Sequence, residues 1–376
     1  MKVLLWGCGK NSDKVKAYLK KCIDDLNIVA WCDKNYECIK QKDGVKVISP
    51  KEAIKLYKDK KIEAIIPTVS PRVLNSIVHE LHNNGIKECY YVFENDLKEK
   101  SDIKLKMRKI STQKPSLEYF EFHVCDHCNL NCKGCLHLSN ACEESFADLE
   151  QYIKDIKRIR EIFSAVHIIK LLGGEPLLNK ELYKFIEITR EIFPESELRV
   201  ATNGILLNEQ DKILFDCMKK NNAYFFISLY PPVKKIQDKI QKICVKNQVE
   251  CVFTEYIDKF RKQINIEGGN DIEKSFKKCR ERMGYCFGLR NGKLSPCIAT
   301  YIHFLNFKFN KNIPVTENDE LDIYSTEYDG WEFINRLYSP IPLCEFCGEA
   351  EEFEWKCGST EPKIEDYVLT NYKCDF

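Results

Sequence analysis

The sequence lacks the features that mark membrane-spanning, secreted and nucleic-acid-binding chains. It contains no run of about 18 apolar residues, so nothing in its pattern predicts a bilayer-spanning helix. The apolar stretch after Met1 is too short for a secretory signal peptide, and charged residues follow it directly. With 58 basic and 57 acidic residues, the net charge of +1 predicts neither nucleic acid nor an anionic membrane as a partner. We therefore expect a cytoplasmic globular protein.

Cysteine, by contrast, is abundant. The chain of 376 residues has 20 cysteines, and in a reducing compartment such a number indicates metal binding or catalysis rather than disulfides. Many of them crowd into residues 125–142 and 279–357. The cysteines outside these two stretches are interpreted as small apolar side chains that pack in the interior: Cys8, Cys22, Cys32, Cys38, Cys89, Cys217, Cys244, Cys251 and Cys374.

The order of strand-like and helix-like segments predicts an α/β protein with three parts. Residues 1–95 predict a small doubly wound parallel sheet, and the charged residues 96–115 are typical of a linker. Residues 116–267 form a second alternating series, whereas from 268 to 376 the alternation is lost and the cysteines return. The predicted strands are 2–7, 27–33, 45–49, 62–69 and 87–93 in the first series, and 117–124, 166–172, 197–202, 223–229 and 249–256 in the second.

The loop after strand 117–124 carries the strongest signal. Cys128, Cys132 and Cys135 have the spacing C-x3-C-x2-C. Thiolates are soft ligands that suit iron–sulfur clusters or zinc. Three of them can hold three irons of a [4Fe–4S] cluster and leave the fourth iron open to a small ligand. The alternative is a structural zinc site that adds Cys125, although zinc pairs are usually separated by a longer span.

Residues 128–135, CNLNCKGC, resemble the signature loop of the radical S-adenosylmethionine (SAM) superfamily. The resemblance implies that the three cysteines bind the cluster and that the amino and carboxylate groups of SAM chelate the remaining iron. Gly134 departs from the family pattern, in which this position is often aromatic. Cys125 and Cys142 are then extra cysteines, and we interpret them as non-ligands.

Three further motifs follow predicted strands of the same series: Gly173-Gly174-Glu175-Pro176, Thr202-Asn203-Gly204 and Ser228. In a β/α barrel the loops at the carboxyl ends of the strands converge on one mouth, so we expect these motifs beside the cysteine loop. Glycine lets backbone approach a ligand closely. The resemblance implies that the GGEP motif contacts the methionyl amino group of SAM. It also implies that Asn203 and Ser228 help to hold the carboxylate or the ribose, within the partial (β/α)6 barrel of the family.

Glu121 and His123 alternate with apolar residues in strand 117–124, so both side chains are expected on one face of it. Two interpretations stay open at this point. The two residues contact a substrate inside the barrel, or they form a buried polar pair whose hydrogen bonds are satisfied by neighbours.

A second group of cysteines has the spacing C-x12-G-x4-C followed by C-x2-C: Cys279, Cys297, Cys344 and Cys347. This pattern resembles the auxiliary-cluster region of twitch or SPASM radical SAM enzymes, and Asn291-Gly292 is a strong hairpin turn between the first two cysteines. The resemblance implies one auxiliary [4Fe–4S] cluster in a C-terminal domain, residues 268–376. Cys286 and Cys357 are substitutes for these ligands, and a zinc ribbon on the same cysteines is the alternative.

The first strand is followed by Gly7 and Gly9, and Asp33 ends the second strand. This arrangement resembles a dinucleotide-binding turn of the Rossmann type, with serine in place of the last glycine. It implies a nucleotide bound at the start of a helix in the N-terminal domain. Docking of a substrate, or a purely structural role, is the competing interpretation.

Taken together, these resemblances predict a radical SAM enzyme. The cluster would cleave SAM to a 5′-deoxyadenosyl radical that abstracts hydrogen from a sugar or nucleotide-linked sugar, for example in a dehydrogenation. Maturation of a ribosomal peptide is the alternative substrate class. A low-potential electron donor such as ferredoxin or flavodoxin is the expected partner. A different class, a non-catalytic iron–sulfur electron carrier or a zinc-stapled binding protein, explains the cysteines but not the motifs at the strand ends.

Overall fold

The computed structural model describes residues 1–94, 107–283, 286–358 and 361–369. Within these ranges no helix combines the length and the apolar character needed to cross a membrane. The described chain divides into two compact units. The first comprises residues 1–118 with the short segments 160–167 and 195–197, and the second comprises the remainder of the chain.

The first unit contains seven strands and three helices within the described residues. The strands are β1 (Lys2–Trp6), β2 (Asn27–Cys32), β3 (Gln41–Lys42), β4 (Val45–Ile48), β5 (Ala64–Pro67), β6 (Glu88–Tyr91) and β7 (Arg108–Ser111). The helices are α1 (Lys10–Cys22), α2 (Pro50–Lys58) and α3 (Pro71–Asn83). Helix α2 shows how the sequence defines such an element, because Ser49 and Glu52 form a reciprocal capping box in front of Pro50 at the first helical position.

The main sheet of the first unit has the strand order β3-β4-β2-β1-β5. Strands β4, β2, β1 and β5 are parallel, and only β3 is antiparallel to its neighbour. A parallel sheet joined by helices was the prediction for this part of the chain, and it is confirmed. Val3, Leu5 and Trp31 are fully buried in its core.

The end of this unit differs from the prediction. Strand β6 does not extend the parallel sheet but pairs with β7 in a separate antiparallel ribbon, from Glu88 opposite Ser111 to Tyr91 opposite Arg108. Residues 107–115 are therefore not a plain linker, since β7 lies within them. The rest of the predicted linker, residues 96–106, lies outside the described residues. Strand β7 was not predicted because its segment is rich in charged residues, and a two-stranded ribbon needs little apolar surface.

The remaining elements begin with β8, and several of them follow the predicted bounds closely. The strands are β8 (Ser116–Cys125), β9 (Ala165–Gly173), β10 (Glu197–Thr202), β11 (Ala223–Ile227), β12 (Cys251–Phe253), β13 (Lys259–Ile264), β14 (Gly288–Arg290), β15 (Lys293–Ser295), β16 (Leu321–Asp322) and β17 (Cys347–Glu354). The helices are α4 (Leu149–Ile162), α5 (Leu182–Ile192), α6 (Lys212–Lys220), α7 (Pro231–Lys234), α8 (Gln237–Lys246), α9 (Ile272–Met283), α10 (Ala299–Phe309) and α11 (Gly330–Leu337). Short 3-10 helices are Pro176–Leu178, Ile205–Glu209, Pro342–Phe346 and Ile364–Asp366.

An open eight-stranded sheet organises this part of the chain, in the order β12-β11-β10-β9-β8-β14-β15-β16. Strands β8 to β12 lie side by side in chain order, so their carboxyl ends share one edge. The sheet is not a closed barrel. Its sixth parallel strand is β14, which comes from the region predicted as a separate C-terminal domain and pairs with β8.

Helices cover one face of this sheet. Phe122 of β8 packs against Tyr152 of α4 at 4.4 Å between ring centroids, and Phe225 of β11 packs against Phe215 of α6 at 6.1 Å. Alternation along each strand therefore turns the odd-numbered β8 side chains to the opposite, inner face. Phe146 precedes α4 and is 55% exposed.

The predicted hairpin at Asn291-Gly292 is confirmed. Strands β14 and β15 pair in antiparallel fashion around these two residues, both of which have positive φ angles, 46° and 74°. This is the conformation of a type I′ turn, which favours Asn-Gly. Asp155 of α4 accepts a hydrogen bond from the Gly292 amide at 2.9 Å.

Candidate active site at the carboxyl edge of the sheet

The cysteine loop follows β8 directly. Cys132 is buried, and Cys128 and Cys135 are half-buried. The thiols are close enough to affect one another: burial, and then the neighbouring Cys135, raise the pKa of Cys132 to about 12. Burial raises the pKa of Cys128 well above its ordinary value, and the nearby Glu175, Cys135 and Cys132 raise it further. The structure thus brings together the three thiols that the spacing predicted.

The donor set of this loop fits an iron–sulfur cluster. In a cluster each thiolate binds a different iron, so the sulfurs need not converge on one point. Among the described residues, no three His, Cys, Asp or Glu side chains are arranged to hold a single metal ion. Two sulfurs already accept N–H hydrogen bonds, Cys128 from the Leu130 amide at 3.4 Å and Cys132 from the Trp355 indole at 3.3 Å. Such donors are the usual surroundings of cluster sulfurs.

The glycine pair after β9 packs against the cysteine loop. The Gly174 amide donates to the Cys125 carbonyl at 2.8 Å, and the Glu175 amide donates to the His127 carbonyl at 3.0 Å. A Cβ atom at Gly173 would overlap the Cys125 carbonyl oxygen, and one at Gly174 would overlap that of His127. The close approach that the glycines permit is therefore between two stretches of protein backbone, whereas the sequence analysis assigned it to a ligand.

Glu175 lies fully buried behind this contact. Its carboxylate accepts hydrogen bonds from the Thr202 hydroxyl at 2.5 Å, from the Asn203 amide at 2.9 Å and from the Leu177 amide at 3.0 Å. Burial raises the pKa of Glu175 to about 7, although all three hydrogen bonds oppose the shift. The carboxylate therefore ties the β9 loop, where Pro176 begins a 3-10 helix, to the end of β10. Contact between Glu175 and an ammonium group of SAM remains a prediction.

This buried carboxyl predicts a pH-dependent stability. Because its folded pKa of about 7 exceeds its ordinary value of 4.5, its contribution is fully present below pH 4.5 and is lost as the pH rises through 7. We expect the stability of the wild type, relative to Glu175→Gln, to fall between pH 5 and pH 8 by up to about 3 kcal/mol. Melting temperatures across this range measure it. Glu181→Gln, an exposed carboxylate, is the control, and a pH-independent difference would contradict the assignment.

Asn203 and Ser228 follow the neighbouring strands β10 and β11. The Asn203 side-chain amide donates to the Asn129 side-chain oxygen at 2.8 Å and lies 3.9 Å from the Cys128 sulfur. The Ser228 amide donates to the Thr202 carbonyl at 3.0 Å, which fixes the two strand ends together. Asn203 is thus brought to the cysteine loop as predicted. For Ser228 the structure shows the strand end and a half-buried side chain.

The segment that follows β17 also contacts the cysteine loop, and the sequence analysis missed it. The Lys133 amide donates to the Lys356 carbonyl at 3.0 Å, and the Phe353 ring lies 2.5 Å from where a Gly134 Cβ would be. Gly134 is therefore required by a close contact with the C-terminal strand. No spacing rule connects residue 134 with residue 353, so the sequence held no signal for this contact.

The inner face of β8 carries the polar residues that the alternation predicted. Glu121 accepts hydrogen bonds from Tyr119 and from Lys170, the latter at 3.2 Å. His123 lies 3.2 Å from the Asp126 carboxylate and 2.9 Å from His137. Both residues are buried and satisfied by neighbours, which favours the interpretation as a buried polar network.

Asp126 is the centre of that network. Arg290 donates to both of its oxygens, at 2.6 and 2.8 Å, and the Ser145 hydroxyl adds a third hydrogen bond at 2.6 Å. Although burial opposes ionisation, the hydrogen bonds from His123 and Arg290 hold the pKa of Asp126 well below its ordinary value. The bidentate pair joins the cysteine loop to the end of β14 and so fixes the loop's starting point.

Contacts link the four cysteines of the predicted auxiliary site in two pairs. Ser275 of α9, one turn before Cys279, donates to the Cys347 carbonyl at 2.8 Å. Cys297 and Cys344 pack against the same apolar cluster. Of the two substitutes, Cys286 precedes β14, and Cys357 forms a β-bridge with Cys132. An auxiliary cluster on Cys279, Cys297, Cys344 and Cys347 remains a prediction.

In the first unit, Gly7, Gly9 and Asp33 lie together as predicted. Asp33 accepts hydrogen bonds from the Cys8 amide at 2.8 Å and from the Asn35 amide at 2.9 Å. Gly7 has φ +118°, and a Cβ there would lie 2.6 Å from the Val69 side chain. The Asp33 carboxylate thus holds the glycine turn at the start of α1. Nucleotide binding at this turn remains a prediction.

Comparison with known proteins agrees with this geometry. Residues 122–277 match the sequence model of the Radical SAM superfamily, and residues 1–89 match that of the C2185-like N-terminal domain. Residues 122–277 therefore form a radical SAM domain. Domains of this superfamily use a [4Fe–4S] cluster and SAM as cofactors.

Curated relatives are named GTP 3′,8-cyclase. The protein of Campylobacter lari is 27% identical over 239 residues, which is 58% of this chain and 71% of the relative. That of Nautilia profundicola is 30% identical over 118 residues, 31% of this chain and 37% of the relative. Among solved structures, BtrN in complex with AdoMet and 2-DOIA aligns at 14% identity and a TM-score of 0.39, covering 67% of this chain and 98% of BtrN.

Proposed function

We propose that the protein binds a [4Fe–4S] cluster through Cys128, Cys132 and Cys135, binds SAM beside it, and abstracts hydrogen from a phosphate-bearing sugar compound, such as a nucleotide-linked sugar. The observation that carries the proposal is the convergence of three strand-end loops. The Asn203 amide lies 3.9 Å from the Cys128 sulfur, while the GGEP backbone is hydrogen-bonded to the loop that holds the cysteines. A cluster bound there would supply the electron that splits SAM into methionine and a 5′-deoxyadenosyl radical.

The protein's own residues position the reactants. Asp126 and Arg290 hold the base of the cysteine loop, and the Glu175 carboxylate holds the β9 and β10 loops together. Fixed loops keep the reacting atoms at short range and exclude water, which a carbon radical requires. A low-potential donor such as ferredoxin or flavodoxin would reduce the cluster. Cys279, Cys297, Cys344 and Cys347 would hold an auxiliary [4Fe–4S] cluster.

The preference for a phosphate-bearing substrate rests on the inner face of the sheet. Lys170 of β9 contacts Glu121 on that face, and Arg199 of β10 lies over the rings of Tyr224 and Phe226, 5.8 and 5.4 Å from their centroids. Arg199, a half-buried cation on this face, suits an anionic group. The relatives' name refers to GTP, which shares a sugar and phosphates with a nucleotide-linked sugar.

Anaerobically reconstituted protein, reduced with dithionite, is expected to form 5′-deoxyadenosine from SAM, faster when a UDP-sugar or GTP is present. Arg199→Gln should raise the nucleotide concentration for half-maximal stimulation about tenfold, because a charged hydrogen bond to phosphate contributes roughly 1.5–3 kcal/mol. The rate of SAM cleavage without nucleotide should stay that of the wild type. Arg72→Gln on α3 is the control. Equal stimulation curves for Arg199→Gln and wild type would refute the role of the inner face.

A further inference from the structure

Residues 353–358 run beside the cysteine loop and extend the chain beyond β17. The Lys133 amide donates to the Lys356 carbonyl at 3.0 Å, the Gly358 amide donates to the Asn131 carbonyl, and Cys132 forms an antiparallel bridge with Cys357. Lys133 also forms an ion pair with Asp366 at 2.8 Å. The two backbone hydrogen bonds, which together define the bridge, thus hold the backbone of this segment against the loop.

Trp355 is the residue of this segment whose polar atom meets a sulfur. Its indole N–H donates to the Cys132 sulfur at 3.3 Å. Its backbone amide donates to the Asp258 carbonyl at 2.7 Å, and its ring is nearly parallel to that of Tyr230, with 14° between the planes and 6.2 Å between centroids. Because the backbone and the ring are both constrained, the N–H direction toward the sulfur is also constrained.

We propose that Trp355 is a positioning residue for the cluster, whose indole N–H sets the reduction potential through the Cys132 sulfur. This inference rests on the proposed function, in which Cys132 is a cluster ligand. A hydrogen bond to a cluster sulfur stabilises the reduced form, because reduction adds negative charge to the cluster and its ligands. Loss of the N–H therefore makes the cluster harder to reduce.

The test is a potentiometric titration of the reconstituted protein, followed by electron paramagnetic resonance in the presence of SAM. Trp355→Phe keeps an aromatic ring against Tyr230 and removes the indole N–H. We expect the ratio of reduced to oxidised cluster at a fixed potential to fall about tenfold, which corresponds to about 59 mV for one electron. Trp331→Phe on α11 is the matched control, and its ratio should equal that of the wild type.

The outcomes separate this inference from the proposed function. Equal potentials in Trp355→Phe and wild type, with the cluster present in both, overturn the inference and leave the proposed function standing. Absence of any cluster from the wild type overturns both. If Trp355→Phe fails to take up iron, Trp355 acts in cluster assembly rather than on the potential, and the inference is overturned.

Discussion

Cys128→Ala is expected to lose 5′-deoxyadenosine formation by at least about a hundredfold, together with most of its iron, because removal of one thiolate leaves the cluster without a ligand. The sulfur of Cys128 accepts the Leu130 amide and lies beside Asn203, at the point where the three loops meet. Iron analysis and product formation under anaerobic conditions measure the effect.

Cys142→Ala is the matched control. Cys142 lies near the same loop, but its thiol donates to the Ser139 carbonyl at 3.2 Å, and the spacing assigns it no cluster role. This variant should retain the iron and the rate of the wild type. If Cys128→Ala kept wild-type iron, or if Cys142→Ala lost as much iron as Cys128→Ala, the assignment of the cluster to the C-x3-C-x2-C loop would be wrong.

Gly173→Ala is expected to destabilise the protein by about 3 kcal/mol or more, because overpacking against backbone leaves no flexible side chain to move aside. A Cβ at Gly173 would overlap the Cys125 carbonyl oxygen and lie 2.9 Å from its carbon. The melting temperature should fall by about 4 °C or more for a chain of this size. Iron uptake should fall with it, since the displaced backbone carries the cysteine loop.

Gly9→Ala provides the comparison for this variant. No atom lies within 4 Å of a Cβ built at Gly9, and its φ of −77° is one that alanine adopts readily. Its melting temperature should match that of the wild type. A Gly173→Ala protein that melted with the wild type would show that the β9 loop can shift away from the cysteine loop at little cost.

The parts of the fold that sequence reasoning predicted are those set by local pattern. Strands β8 and β10 were predicted from short apolar runs, and the Asn291-Gly292 turn from the φ angles that only a few residues accept. The cysteine loop was likewise predictable, because all three thiols lie within eight residues. Each of these signals is contained in a short window of sequence.

The parts that were missed depend on partners far along the chain. Pairing of β14 with β8, and the contact of Trp355 with Cys132, join segments separated by more than 150 residues. Neither pairing leaves a periodic pattern, since each is selected by shape and hydrogen bonding only after the chain has folded. Burial of the Glu175 carboxylate was missed for the same reason: its three donors come from two separate loops.

The pairing of β14 with β8 has a consequence for biosynthesis. Glu121 emerges from the ribosome long before Gly288, its partner in the sheet. Until then one edge of β8 exposes unpaired amides and carbonyls, and an exposed strand edge favours association with other chains. An incomplete chain is therefore expected to associate with other chains more readily than the complete one, in which β14 covers this edge.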